Sequence, residues 1–133
     1  MEIKVNTGLI TYNLGGKVEV AFNPTDMSFG DRLYKAIGTL CALQEKPLTE
    51  NTEDLLADML ARDKEARAVL DGLFEKEVCK PLYDTISVFA LADGLPLWAN
   101  LLLAIMGQMQ EGSSKRMKEA EARIKKYTKD YEL

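Results

Sequence analysis

Apolar and polar positions alternate over residues 9–14 (Leu-Ile-Thr-Tyr-Asn-Leu) and 17–22 (Lys-Val-Glu-Val-Ala-Phe), on either side of Gly15-Gly16. A period of two marks a strand, and paired glycines readily take the positive φ that a two-residue hairpin turn requires. Such a loop sets Leu14 opposite Lys17, Tyr12 opposite Glu19 and Ile10 opposite Ala21, with Leu9, Val18, Val20 and Phe22 on the other face. Both faces of the predicted hairpin are then partly apolar. One packs on helices, while Ile10, Tyr12 and Leu14 are left for a further strand or a neighbouring subunit. Ile3 and Val5 extend the alternation and lengthen the first strand.

From residue 23 the period changes to that of a helix. Asn23-Pro24-Thr25-Asp26 supplies an N-cap, a proline for the first helical position and an acid for the first turn. The stripe that follows is Phe29, Leu33, Ile37, Leu40 and Leu43, closed by Lys46-Pro47. Thr49 is the expected cap of a second helix carrying Leu55, Leu56, Met59, Leu60, Ala66, Val69, Leu70, Leu73 and Phe74. The charged run Arg62-Asp63-Lys64-Glu65 interrupts that stripe, giving either two helices or one with a solvent-exposed middle. Pro81 allows a short helix or turn near Lys80–Asp84, and residues 86–91 fit strand or helix equally. Asp93-Gly94-Leu95-Pro96 predicts a helix start capped by Asp93. The helix beyond it carries Leu97, Trp98, Leu101, Leu102, Ile105, Met106 and Met109 on one broad face, with Leu103 and Ala104 elsewhere. It is expected to be the central core helix or an oligomer contact, with Trp98 as a core anchor.

The expected architecture is α+β: an N-terminal β-hairpin (1–22), a mainly helical core (23–112) with a long apolar C-terminal helix, and a basic helix or tail (113–133). A chain of 133 residues and 14.9 kDa supports one such domain. At that mass a compact fold exposes roughly 7,000 Å².

Charge and candidate chemistry narrow the function. Residues 1–110 hold ten Lys and Arg against sixteen Asp and Glu, net −6, whereas residues 111–133 hold seven against five, net +2. The overall net charge of −4 argues against nucleic acid as a partner. There is no histidine. Glu50, Asp54 and Asp58 fall on one helical face, but acids near a helix start are explained by the dipole and by solvation, and no metal site is expected. Cys41 and Cys79 lie in apolar-patterned segments without a base, so both are expected as packed thiols rather than nucleophiles or disulfide partners. No glycine-rich phosphate loop is present, and no cofactor is expected. The longest uncharged stretch, Gly94–Gln110, has 17 residues and is shorter than a membrane span needs. No secretory signal is visible at Met1-Glu2-Ile3-Lys4, so a reducing cytoplasm is the expected location.

Several blocks, in order along nearly the whole chain, resemble a small protein family encoded in the tail modules of siphophages and prophages of Gram-positive bacteria. They are Asn6-Thr7-Gly8-Leu9, Phe22-Asn23-Pro24-Thr25-Asp26, Asp93-Gly94-Leu95-Pro96-Leu97-Trp98-Ala99-Asn100 with the apolar run behind it, and Arg123-Ile124-Lys125-Lys126-Tyr127. The family is regarded as tail assembly chaperone-like. The chain departs from it at Phe74-Glu75-Lys76-Glu77-Val78, where relatives often carry a glycine-rich turn. The resemblance implies a non-enzymatic protein that binds the tape measure protein while tail tube subunits are recruited in the host cytoplasm. The alternative is a permanent structural or adaptor part of the tail. The residues assigned to partner binding are Met106, Met109, Lys125, Lys126 and Tyr127. Those assigned to self-association into a homo-oligomer are Ile10, Tyr12 and Leu14.

Overall fold

A turn forms at Gly15-Gly16, with φ of 61° and 72° and Lys17 N–H donating to the Leu14 carbonyl. This computed structural model describes the backbone of residues 1–129, and their side chains apart from those at 52, 113–117, 119–121 and 123–129. Lys17, however, is an extra residue: β1 (Ile10–Leu14) pairs with β2 (Val18–Phe22) as Leu14 with Val18, Tyr12 with Val20 and Ile10 with Phe22. The expected register is therefore off by one. A one-residue slip exchanges the faces of one strand relative to the other. Instead of two half-apolar faces, the hairpin has one apolar face (Ile10, Tyr12, Leu14, Val18, Val20, Phe22) and one polar face (Thr11, Asn13, Glu19, with Ala21). Residues 1–9 do not lengthen β1, and Ile3 and Val5 are exposed.

Asp26, not Asn23, caps α1 (Met27–Glu45), its carboxylate accepting from Ser28 N–H. Asn23 instead closes the preceding turn through Thr25 and ties down the tail by donating to the Thr7 carbonyl. Asn51, not Thr49, caps α2 (Thr52–Phe74), a single helix of 23 residues. It ends at Glu75, which holds the left-handed conformation at φ 52°. α3 (Cys79–Tyr83) is one short helix whose first amides, Val78 and Cys79, both donate to the Asp71 carboxylate.

Residues 84–90 are neither strand nor long helix but turns. Asp93 caps nothing. With Gly94 it forms a positive-φ turn between β3 (Leu91–Ala92) and β4 (Leu95–Pro96). α4 (Leu97–Lys129) begins directly after, and its first amides, on Leu97 and Trp98, donate to the Ala90 and Val88 carbonyls. The irregular loop thus satisfies donors that every helix start leaves open. The fold is α+β.

α4 is long, at 33 residues, but apolar only over Leu97–Met109, after which Gln110 and Glu111 begin a polar continuation. No helix among the described residues is long and apolar enough to cross a membrane. α1 and α4 run antiparallel: Trp98 at the start of α4 donates its indole N–H to Gln44 at the end of α1. Met109 lies against Gly30, and Gly112 against Pro24. The core gathers Phe29, Leu33 and Leu40 of α1, Ala66, Leu70 and Leu73 of α2, and Trp98, Leu102 and Ile105 of α4. Trp98, only 6% exposed, is the expected anchor; Ile37 and Leu101 sit half-buried at the margin. The hairpin joins this core through stacked rings, Tyr12 on Phe22 at 4.4 Å and Phe22 on Phe29 at 4.6 Å.

Candidate functional site

The charged run in the middle of α2 does not face solvent as one unit. Arg62 is only 7% exposed and spans the open end of α1, donating to the Leu43, Lys46 and Pro47 carbonyls and pairing with Asp58 at 3.1 Å. Asp63 accepts from Val88 N–H and from Arg67, whose guanidinium reaches the Asp84 and Ile86 carbonyls. These two arginines fasten the end of α1 and the 84–90 loop to α2. Asp58 is thereby engaged with Arg62, and no cluster of three metal-ligating side chains is found among the described residues.

Arg62 also sets how far α2 slides along α1. It lies beside the last residues of α1, so the ten residues from Thr52 to Ala61 overshoot that end by about 15 Å. Among the described residues no helix covers their stripe: Leu56 is 68% and Leu60 70% exposed, and Met59 and Leu48 are exposed beside them. By periodicity Leu56, Met59 and Leu60 continue the stripe of Leu70 and Leu73, yet they lie outside the core. Together with Leu43, Gln44 and Phe89 they line a hollow of about 350 Å³.

At the other end of α1, Met106 and Met109, two of the residues assigned to partner binding, stand side by side. They line a cleft of about 200 Å³ with Gly30, Leu33, Tyr34 and Ile37. Gly30 lies close to Met109: a Cβ there would stand 3.4 Å from the Met109 methyl, in van der Waals contact. The cleft continues into a wider hollow along the first turns of α1, past Pro24, Met27 and Asp31. Met27 and Tyr34 are largely exposed on its rim. Lys125 and Lys126, with Tyr127, fall in the last turns of α4, and their side chains lie outside the described ones.

The residues assigned to self-association are differently placed. Tyr12 and Leu14 pack against the core, and Ile10, on the same hairpin face, is exposed at its end. The register shift is the physical reason. A third hollow, about 590 Å³ between the hairpin and α4, is lined by Tyr12, Tyr83, Asn100 and Gln108 among others. Burial raises both phenols, Tyr83 to about 12, and Glu111 adds to the effect at Tyr12. Burial and then the Asp71 carboxylate push the Cys79 thiol up to about 12. All three groups are neutral at pH 7 at their ordinary values, and the displacements move them further from ionising.

Compared with family models, with characterised proteins and with solved structures, the chain matches none. Its site is therefore read from its own geometry. Besides the hollow between the hairpin and α4, that geometry offers two apolar hollows at opposite ends of α1, one lined by methionines and one left open by the overshoot of α2.

Proposed function

We propose that the protein is a tail assembly chaperone that binds the tape measure protein during tail morphogenesis, seating a client helix in the cleft between α1 and α4. The observation that carries this reading is the cleft itself, where Met106 and Met109 meet Leu33, Tyr34 and Ile37. It adds to the resemblance of the Phe22–Asp26 and Asp93–Asn100 blocks to tail assembly chaperone-like proteins. A long amphipathic client aggregates through its apolar stripe. Methionines, unbranched and polarizable, cover such stripes without demanding one sequence. Reversible release requires only modest affinity, so one or two helical turns of contact suffice. On the α4 side the cleft is walled by Met106, Met109 and Gln110, and the basic residues Lys125 and Lys126 add steering rather than most of the affinity. Such a protein works in the host cytoplasm, with the tail tube protein as its second partner.

Co-expression with the cognate tape measure protein tests the reading. The wild type is expected to raise the soluble fraction of the client, and Met109→Lys, which places a charge in the cleft, to abolish that gain while leaving the chaperone folded. No rise with the wild type overturns the proposal. Finding the protein at fixed stoichiometry in purified virions replaces it with the structural or adaptor role.

A further inference from the structure

The hairpin has a free edge. β1 and β2 form a two-stranded sheet whose ladder begins at Ile10–Phe22 and ends at Leu14–Val18. Those pairs, with Tyr12–Val20 between them, exchange the inter-strand hydrogen bonds, so Thr11 and Asn13 turn their N–H and C=O groups to the outer edge of β1. On the matching edge of β2 the Glu19 carbonyl accepts from the Lys76 ammonium at 2.7 Å. Among the described residues nothing pairs with the backbone groups of Thr11 and Asn13. The hollow of about 590 Å³ lies on this side: Tyr12, Asn13 and Leu14 of β1 and Leu101, Ala104 and Ile105 of α4 line it, and no residue of β2 does. Ahead of β1 stands an arm with a strand pattern and no strand partner. Its Met1, Ile3 and Val5 alternate with Glu2, Lys4 and Asn6, and all three apolar side chains are exposed. The chain already bends between arm and strand: Gly8 holds φ 72° and donates its N–H to the Asn6 side chain at 2.9 Å, and Asn23 holds the Thr7 carbonyl.

We propose that this N-terminal arm is a strap that folds back on the outer edge of β1 as a third antiparallel strand and closes the hollow between the hairpin and α4. A reversal with Thr7-Gly8 at its tip sets Val5 opposite Ile10, Lys4 opposite Thr11, Ile3 opposite Tyr12, Glu2 opposite Asn13 and Met1 opposite Leu14. That register meets two separate requirements. Residues directly opposite share a face, so Met1, Ile3 and Val5 continue the apolar face of Ile10, Tyr12 and Leu14, while Glu2 and Lys4 join Thr11 and Asn13 on the polar one. A slip of one residue would turn the three apolar side chains onto the polar face. With Asn6–Leu9 as the closing bonded pair, the next bonded pairs are Lys4–Thr11 and Glu2–Asn13, which use the backbone groups of β1 that are free. The lengths also match, since Met1–Val5 spans the same five residues as Ile10–Leu14. Two strands alone are marginal, and a third that shares the apolar face steadies them. In the open arrangement described above, edge and hollow are offered together to an extended apolar segment; closed, the strap occupies both and covers an edge that would otherwise pair with other chains.

Amide hydrogen exchange of the full chain and two full-length variants tests the strap. Ile3→Lys/Val5→Lys places charges on the apolar face of the arm, and Lys4→Pro removes the N–H that bonds to Thr11; all three positions are exposed. In the unaltered chain Thr11 and Asn13 are expected to exchange about tenfold more slowly than in either variant, which corresponds to an arm closed about nine-tenths of the time. Tyr12 and Leu14, bonded to β2, are expected to keep their protection in all three chains, which reports an intact hairpin. Equal rates at Thr11 and Asn13 in the three chains overturn the proposal. So does a loss at Tyr12 and Leu14 as large as that at Thr11 and Asn13, because hairpin stability and not the strap then sets the rates. A slowing that disappears on dilution overturns it as well, since the edge is then filled by the arm of a second copy.

Discussion

Replacing Arg62 by alanine tests the clamp that fixes α2 on α1. The guanidinium is buried and makes four polar contacts, at 2.6 Å to the Lys46 carbonyl, 2.7 Å to Pro47, 3.2 Å to Leu43 and 3.1 Å to Asp58. Three of the acceptors belong to the end of α1 and the loop after it, where carbonyls have no partner further along the helix. Its Nε has no acceptor, a cost the wild type already carries. Alanine strips the carbonyls and leaves Asp58 without its cation. Breaking a buried charge network of this kind costs about 3–5 kcal/mol. With an unfolding entropy of roughly 0.28 kcal/mol/K for a chain of this size, a loss of about 4 kcal/mol lowers Tm by about 14 °C. Lysine keeps the charge but offers a point rather than a fork, so Arg62→Lys is expected to fall between wild type and alanine. Urea unfolding at submicromolar protein, where self-association adds nothing, measures both. A loss below about 1 kcal/mol for Arg62→Ala refutes the clamp.

Asp63→Ala removes the acceptor for Val88 N–H and the partner of Arg67; amide exchange of Val88 is expected to accelerate by at least tenfold, while the α1 amides stay protected. Glu75 occupies a left-handed position that suits glycine; Glu75→Gly is expected to stabilise by about 0.5–1 kcal/mol, since only the exposed Arg32 contact is lost. The Cys79 thiol is raised in the folded state to about 12, so the stability it contributes is complete below its ordinary value of 9.0 and is lost as pH rises toward 12. Urea midpoints at rising alkaline pH are expected to fall, and to fall less steeply in Cys79→Ala; equal slopes refute this. Trp98→Ala is expected to cost about 3–5 kcal/mol through the cavity and the freed Gln44.

The helices and most of the core were legible because period and burial agree: Phe29, Leu33, Leu40, Leu70, Leu73, Trp98, Leu102 and Ile105 are all buried. Boundaries were misread where two residues compete for one role. Asn23 and Asp26 are both good caps, and only the hydrogen bond to Ser28 N–H decides between them. The hairpin register turned on one residue, because Gly15-Gly16 serves a two-residue loop and a loop with one bulged residue alike, and the buried Val20 and Phe22 select the second. The role of Arg62-Asp63 was invisible because a charge run at helical spacing reads as a solvated face. What it grips, three carbonyls at the end of α1 and a loop more than twenty residues downstream, is not local in sequence. Of the candidate site, Met106 and Met109 followed from periodicity, whereas exposure of Leu56, Met59 and Leu60 follows from where α1 stops.

That last point links stability to binding. A stripe on α2 as long as its partner would be buried wholly, and the first half of α2 would then be core. Instead α1 ends at Glu45, Arg62 closes its carbonyls, and the ten residues of α2 beyond are committed to an acidic, apolar overhang. Lengthening α1 would cover Leu56 and Leu60, adding stability while removing the surface. The clamp therefore decides how much apolar area the domain withholds from its own core, and the exposed leucines reflect a fixed helix offset, not loose packing.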